Sequence, residues 1–407
     1  MKVVVFNLGC KVNQYESDSL VARFKEQGYE VSERMEPADV YVINTCAVTM
    51  EAEKKSRQAV ARVKKCNPDA KIFVIGCASQ NNLGQFEKDG VVYASGNADK
   101  LAVADLPECG VTEKELPKTY EELGGMESPR TRSYIKIQDG CNNFCTYCLI
   151  PYVRGRSRSR SLDAAAAEIR KTAKISKELV LTGINLSAYG KDNGATLTSL
   201  VNEISDVDAR IRLGSLEAGV ITDELLTALS KLKKFCPQFH LSLQSGNDEV
   251  LKKMNRRYTS DEFFEKTELI RKYFPDAALT TDVITAFPTE TDEQHKSTVE
   301  FIKKVAFADI HVFRYSKRAG TVAAKWPLVP SSVAEGREKE LLELKKQLKT
   351  AYSKKFLGRE TEVLFEDEED GYSVGYTRHY VKVYKEGALH DEIVNVVPTE
   401  IFRDGLK

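Results

Sequence analysis

The 407-residue chain is predicted to be an α/β protein in three parts: an open parallel α/β sheet over 1–125, a partial (β/α)6 barrel over 126–357 and a small β-barrel over 358–407. Three observations predict this. Short β-rich runs alternate with amphipathic helical periods through the first two parts, the pattern of parallel strands with crossover helices. The alternation breaks at LPKTYEELGGMESPRTRS, whose Pro, Gly and charged residues suit a linker. After Gly358 the helical period disappears and only strand-like runs remain.

In the first part KVVVFNL, ADVYVIN and AKIFVIG read as strands, with NQYESDSLVARFKEQGY and AEKKSRQAVARVKK as helices between them. In the second, SYIKIQ, ELVLTGI, RIRLGSL, FHLSLQS, LTTDVITAF and ADIHVFRY are six candidate strands, most of them separated by helical patterns. The charged helical stretch SSVAEGREKELLELKKQLKTAYSKKF leads into the third. There TEVLFE, YSVGYT, HYVKVYKEG and EIVNVVP read as strands separated by DEEDG and EGALHDE.

Hydrophobic residues at 42% and charged residues at 29% describe an ordinary globular protein. Sixty basic residues balance sixty acidic ones, so any face for nucleic acid must be local. The apolar run before Asn7 is too short for a secretory segment or a membrane span, and no later segment approaches the length a span needs. A cytoplasmic protein with no membrane partner is expected. Its nine cysteines are then better read as metal ligands or buried thiols than as disulfides.

Three strands of the first part end in cysteine, at Cys10, Cys46 and Cys77. The carboxyl ends of parallel strands share one edge of the sheet, where ligands bind, so these residues should converge. Any one alone would more simply be a small buried hydrophobe; three at equivalent strand ends favour a shared site. Cys66, Cys109 and Cys236 carry no such pattern and read as structural.

A tighter signal is CNNFCTYC, with Cys141, Cys145 and Cys148 spaced to close on one metal centre. Zinc would require a fourth ligand. The histidines are His240, His295, His311, His379 and His390, all distant in sequence, so donation by His240 or His311 would have to cross a barrel. A cubane held by three thiolates accounts for the count better and leaves one iron free to bind something else.

Cys, three residues, Cys, two residues, Cys, placed just after the first strand of a barrel, resembles the motif of the radical S-adenosylmethionine (SAM) enzymes. DGCNNFCTYCLIPYVRGRSRSR is similar to the longer signature of the methylthiotransferases, and LGCKVNQYES to the opening of their branch acting on threonylcarbamoyladenosine in tRNA. The resemblance extends through NTCAVT, VIGC, LTGINLSAYG, RLGSLE, HLSLQSGND, TTDVITAFPTETDE and HVFRYSKRAGT to a carboxyl-terminal region similar to the TRAM domain. It implies a radical SAM barrel with a 4Fe-4S cluster on Cys141, Cys145 and Cys148, whose open iron chelates SAM. An auxiliary 4Fe-4S cluster on Cys10, Cys46 and Cys77 would keep its free iron for the sulfur to be inserted. One SAM methylates that sulfur; another yields the 5′-deoxyadenosyl radical that opens C2 of the adenine. The implied partners are tRNA, an electron donor such as flavodoxin or ferredoxin, and a sulfur donor.

Further roles follow with alternatives left open. Arg154, Arg156, Arg158 and Arg160 place charge just after the cluster motif, for the SAM carboxylate or an RNA phosphate, or as a solvated loop. Gly183 and Asn185, Glu217, and Gln244 with Ser245 lie at barrel strand ends and are candidate SAM contacts together with Arg158 and Arg160. Lys54, Lys55 and Arg57, with Arg62, Lys64 and Lys65, form a helix face for phosphates, or simply a solvated one. In the third part Arg378, Lys382 and Lys385 interleave with Tyr376, Tyr380 and Tyr384, suggesting an RNA face, although six basic residues there meet twelve acidic ones. Asn185, Ala286, Thr289, Arg314 and Ala319 depart from the family's pattern, Ala286 and Thr289 standing where glycines are expected. Two other readings stay in view: a relative acting on isopentenyladenosine in tRNA or on a ribosomal-protein aspartate, and a non-catalytic RNA-binding protein with a metal site.

Overall fold

The computed structural model describes the chain except residues 88–89, 108–109, 112–114 and 125–130. Cys109 and the expected boundary between the first two parts lie outside the described residues. The first sheet is β1 (Lys2–Asn7), β2 (Glu30–Ser32), β3 (Val40–Thr45), β4 (Lys71–Gly76), β5 (Val91–Ala94) and β6 (Gly110–Val111), in the order β2-β1-β3-β4-β5-β6. Every pairing is parallel. Central β3 is buried along its whole length, as expected where helices cover both faces. Val3, Val5, Val40 and Val42 pack with Leu20 and Phe24 of α1 (Lys11–Glu26) on one face. Val4, Tyr41 and Ile43 pack with Ala59, Val60 and Val63 of α2 (Met50–Cys66) on the other. Thr49 starts α2 by accepting from the Ala52 amide at 3.1 Å, and Glu51, Glu53, Lys64 and Lys65 suit the helix dipole at its two ends.

The barrel strands are β7 (Arg132–Asp139), β9 (Glu178–Gly183) and β10 (Arg210–Leu213), then β11 (Gln238–His240), β12 (Ala278–Thr285) and β13 (Asp309–Arg314); the short β8 (Arg158–Ser159) caps β7 antiparallel. All six expected runs form parallel strands. Parallel bridges at Ile211/Phe235 and Leu216/Leu241 carry the curl from the first three to the last three. Among the described residues no pairing joins β13 back to β7, so the barrel is partial. FHLSLQS forms a shorter ladder than its pattern suggests, ending at His240, with Gln244 making only an isolated bridge to Val283 at a φ of 70°.

The third part holds β14 (Thr361–Glu369), β15 (Tyr372–Thr377), β16 (Lys382–Glu386), β17 (Ile393–Val396), β18 (Ile401–Phe402) and β19 (Gly405–Leu406). Their order is β17-β14-β15-β16-β19-β18, antiparallel except at β16/β19. The last two strands were too short to be read from the sequence. Among the described residues no helix is long and apolar enough to cross a membrane.

A buried ionic hub joins this sheet to the barrel. Glu178 at the start of β9 receives Arg212 at 2.7 Å, Arg132 at 3.1 Å and Arg210 at 3.7 Å. Arg210 continues to Glu362 at 2.8 Å, and Arg132 to Glu366 at 2.9 Å. Burial opposes the Glu178 charge, but the three guanidiniums outweigh it and hold its carboxyl down at about 2.

Candidate active site

Cys141, Cys145 and Cys148 lie on the loop leaving β7. Gly140 precedes them with φ 69°, and a Cβ there would meet the Arg156 carbonyl oxygen at 2.0 Å, so the turn requires glycine. The loop is pinned from several sides: the Cys141 amide donates to Gly155 O at 3.1 Å, the Thr146 amide to Met254 O at 3.2 Å, and Asn255 Nδ2 to Asn143 O at 3.0 Å. Burial pushes the Cys148 thiol up to about 12 and Cys145 and Cys141 raise it further, while the Ile150 amide opposes. Burial likewise raises Cys141. Burial and neighbouring thiols disfavour the charged forms of Cys141 and Cys148, and a positive centre such as an iron-sulfur cluster reverses that preference.

Several expected contacts gather at this loop. Asn185 Nδ2 lies 3.8 Å from Cys141 Sγ, and its amide donates to Gln138 Oε1 at 2.7 Å. Gly183 packs directly on Gln138, where a Cβ would come within 2.9 Å of the side chain. Glu217 accepts a hydrogen bond from Asn143 Nδ2 and pairs with Arg256 at 3.4 Å, and Arg256 Nη1 donates to Cys145 Sγ at 3.6 Å. Gln244 bonds instead through its main chain, to Asp282 O and from the Ile284 amide, both at 2.9 Å, while Ser245 is buried against Thr298 at 3.1 Å.

Cys10, Cys46 and Cys77 follow β1, β3 and β4, adjacent strands of one sheet. Burial pushes Cys46 up to about 12, with Cys77 and then Cys10 adding to it; burial also raises Cys10. Asn13 of α1 accepts from Cys10 Sγ at 3.3 Å and donates to Asn44 Oδ1 at 3.0 Å, tying the first strand end to the second.

The arginines after the cluster motif correct an expectation. Arg158 and Arg160, expected to face SAM, are buried in internal pairs. Arg158 binds Asp139 at 3.0 Å, and Arg160 binds Glu122 at 2.5 Å and Glu168. Only Arg156 of the four stays exposed, lying 4.5 Å over the Phe144 ring. Arg154 is fully buried and joins the two triads: its Nε donates to Cys77 Sγ at 3.2 Å and its Nη2 to Asn13 Oδ1 at 2.9 Å. Its Nη1 reaches Glu16 at 2.9 Å and Asp139, two residues before Cys141, at 3.1 Å. Lys136 adds to both acids at 3.4 and 3.5 Å, and Lys100 pairs with Glu16. Four buried cations, Arg154, Arg158, Lys136 and Lys100, thus surround two carboxylates beside the strand-end cysteines. An excess of buried positive charge is costly unless an anion completes it, and thiolates on an auxiliary cluster supply that anion. The donor set therefore fits the group.

Among the described residues no three His, Cys, Asp or Glu close tightly enough to hold a single metal ion. His240 and His311, the candidate distant ligands for zinc, are taken up by Asp282 at 3.2 and 3.7 Å.

A cavity of about 330 Å³ lies beside Cys10, lined by Cys10 and Lys11 of the first part and by Thr182, Gly183 and Asp282 of the barrel. An adjoining cavity of about 600 Å³ shares Cys10, Lys11 and Arg132 with it and is bordered by Tyr376 and Tyr380. Those two rings stack at 4.8 Å, with Arg132 5.0 Å over one of them, so they face inward to the cleft.

The expected RNA face is corrected in part. Arg378 donates to Phe235 O at 3.1 and 2.7 Å, and Lys382 is held by Glu369 and Asp404, each at 3.0 Å; both serve packing of the third part. Tyr384 is buried. Arg57 bonds Gln85 at 3.0 Å, whereas Lys54 and Lys55 stay exposed on α2. Sequence reasoning missed Asn13, Glu16, Lys100, Lys136, Asp139 and Arg256. The one available signal was the polar run NQYES, whose Asn13, Tyr15, Glu16 and Ser17 are all buried where a surface helix face would be solvated.

Residues 135–302 match the model of the Radical SAM superfamily, and residues 2–96 that of the uncharacterized protein family UPF0004. The chain is 39% identical, over 100% of its length and 95% of the relative's, to the threonylcarbamoyladenosine tRNA methylthiotransferase MtaB of Bacillus subtilis (strain 168). It is 35% identical, over 88% of its length and 80% of the relative's, to the tRNA-2-methylthio-N(6)-dimethylallyladenosine synthase of Thermoanaerobacter sp. (strain X514). Among solved structures it is similar in fold to the radical S-adenosylmethionine methyltransferase TsrM from Kitasatospora setae with cobalamin and a 4Fe-4S cluster bound. That match has a TM-score of 0.58 at 14% identity, covering 79% of this chain and 77% of that one.

Proposed function

This chain belongs to the radical SAM methylthiotransferases of tRNA, and on that premise we propose that it methylthiolates C2 of N6-threonylcarbamoyladenosine next to the anticodon. The observation that carries the reading is the shared cleft: Cys10 of one triad and Gly183, two residues from the Asn185 that approaches Cys141 of the other, line the same cavity. A base held there would lie beside Cys10 and against the barrel wall that leads to Asn185. Support for the substrate comes from the relative named for threonylcarbamoyladenosine, which is matched across the whole chain.

In this reading Cys141, Cys145 and Cys148 hold the cluster that binds SAM, and Cys10, Cys46 and Cys77 hold an auxiliary 4Fe-4S cluster. When bound, these groups supply the electron, the carbon radical and the sulfur site. The chain's own residues position and shield. Asn185 and Gly183 fix the wall beside Cys141, and Gly183 leaves room that a side chain would fill. Glu217 and Arg256 brace the loop and the Cys145 sulfur. Arg154 holds Cys77 and Asn13 against Asp139, so the two triads keep a set spacing, and its guanidinium offsets thiolate charge. The stacked Tyr376 and Tyr380 offer an aromatic wall for a base entering the wider cavity. Lys54 and Lys55 meet the RNA backbone from α2.

The three parts, 1–125, 126–357 and 358–407, then act as auxiliary-cluster domain, radical SAM barrel and TRAM-like RNA-binding domain. The enzyme works in the cytoplasm with a flavodoxin or ferredoxin as reductant and a separate sulfur donor. A second reading, isopentenyladenosine as substrate, has the dimethylallyladenosine relative in its favour. Mass spectrometry of tRNA nucleosides from cells lacking the gene decides between them. Methylthio-threonylcarbamoyladenosine should vanish and return on complementation. Its persistence with no redundant enzyme, or loss of the methylthio-isopentenyl nucleoside in its place, overturns the proposal.

A further inference from the structure

The geometry points to Lys11 as the residue that selects the substrate's N6 group: its ammonium pairs with the carboxylate of the threonylcarbamoyl side chain and so excludes adenosines with an uncharged N6 substituent. The inference rests on the substrate reading above and deepens it.

Lys11 directly follows Cys10 and is the first residue of α1. Its side chain lines both cavities of the cleft. Among the described residues its side chain makes no hydrogen bond and no ion pair, although it feels Glu178 and Asp282 at longer range. Arg132 and Arg212 share Glu178 at 3.1 and 2.7 Å, and Arg132 also takes Glu366 at 2.9 Å. Asp309 receives Lys345 at 3.5 Å, whereas Asp282 meets the imidazoles of His240 and His311, of which burial holds His311 towards its neutral form, and also feels Lys11. Asp367 borders only the wider cavity, on an exposed stretch of β14. Lys11 is therefore an exposed cation that lines the cleft beside Cys10 and is held by no direct ion pair.

The size of the space decides which anion suits it. About 330 Å³ is the volume of a small-molecule pocket, enough for a nucleobase and its substituent but not for a stretch of RNA backbone. The same cavity is lined by the hydroxyls of Thr182 and Ser215, partners for a hydroxyl and a carbamoyl group, while the Gln238 amide already donates to the Thr280 hydroxyl at 2.9 Å. A threonylcarbamoyl group brings a carboxylate, a hydroxyl and a urea-like carbonyl. An isopentenyl group brings none of them and would leave the ammonium unpaired as water is displaced, which is unfavourable. An ionic hydrogen bond of this kind is worth about 10- to 100-fold in affinity.

The test uses the anaerobically reconstituted enzyme and fluorescence anisotropy with anticodon stem-loops carrying one of three residues at the target position. These are threonylcarbamoyladenosine, the same nucleoside with its carboxylate converted to the neutral methyl amide, and unmodified adenosine. Wild type should bind the carboxylate form about 10- to 100-fold tighter than the amide form. Lys11→Met should erase that ratio and Lys11→Arg should largely restore it, with iron content and melting temperature unchanged. A Lys11→Met protein that keeps the full ratio overturns the assignment. So does a wild type that prefers threonylcarbamoyladenosine to adenosine yet binds its amide equally well, and that arm needs no variant to fold. A wild type indifferent to threonylcarbamoyladenosine altogether overturns the substrate reading, which is a distinct result.

Discussion

The two cysteine triads reach similar chemistry by opposite routes. Cys141, Cys145 and Cys148 sit on one short loop whose shape comes from Gly140 and from main-chain bonds to its neighbours. Cys10, Cys46 and Cys77 come from three strand ends and meet only because β1, β3 and β4 are adjacent and in register. Their electrostatic settings differ as much. One guanidinium, Arg256, approaches the loop sulfurs, whereas the strand-end triad backs onto a buried network of four cations and two carboxylates. A loop motif carries its geometry with it; a dispersed triad borrows its geometry from the packing of the sheet that bears it. Damage to the second should therefore reach stability as well as chemistry.

The largest expected difference is chemical. Cys141→Ala should reduce SAM cleavage to background, measured as 5′-deoxyadenosine. Cys46→Ala should keep that cleavage and lose methylthiolation. Equal loss of cleavage in two well-folded variants would break the division between the triads. Next comes stability. Arg154→Met removes the buried guanidinium from Glu16 and Asp139 and should cost about 3–5 kcal/mol in urea unfolding of the apoprotein. Arg256→Met should cost clearly less, because its pair with Glu217 is longer and Glu217 is part exposed. Similar costs for the two would mean that the loop triad also depends on buried charge.

How legible each region was follows from the same contrast. The spacing in CNNFCTYC can be read by eye, and the strand-end cysteines can be read once the strands are, since topology supplies their neighbours. The arginines show the limit. RGRSRSR looks solvent-facing, yet Arg158 and Arg160 find Asp139, Glu122 and Glu168, and which carboxylates meet which guanidiniums depends on tertiary packing. Arg378 and Lys382 were misread for the same reason, each being taken up where the third part packs. Ala286 and Thr289 went the other way: both replace expected glycines and both keep a glycine-like backbone, with φ of 55° and 66°.

Two smaller effects sharpen the comparison from outside the triads. The Glu178 hub between the barrel and the third part should show what an ionic junction away from the two triads contributes. Its folded pKa of about 2 lies below the ordinary carboxylate value, so its contribution is complete above about pH 4.3 and is lost as pH falls towards 2. That shift corresponds to about 3 kcal/mol, and Glu178→Gln should flatten the acid limb of the stability curve in that window. Ala286→Gly relieves a left-handed alanine and should raise stability by up to about 1 kcal/mol, with cluster content unchanged. Thermal melts and iron assays check it.

The central claim is that each triad holds its own cluster, and counting iron tests it most directly. Anaerobically reconstituted wild type should carry about eight iron and eight sulfide per chain, as two four-iron clusters require. The variant with Cys10, Cys46 and Cys77 all changed to Ala should carry about four of each and retain the Mössbauer signature of the loop cluster. A wild type that saturates at about four iron, or a triple variant that still takes up about eight, would contradict the account.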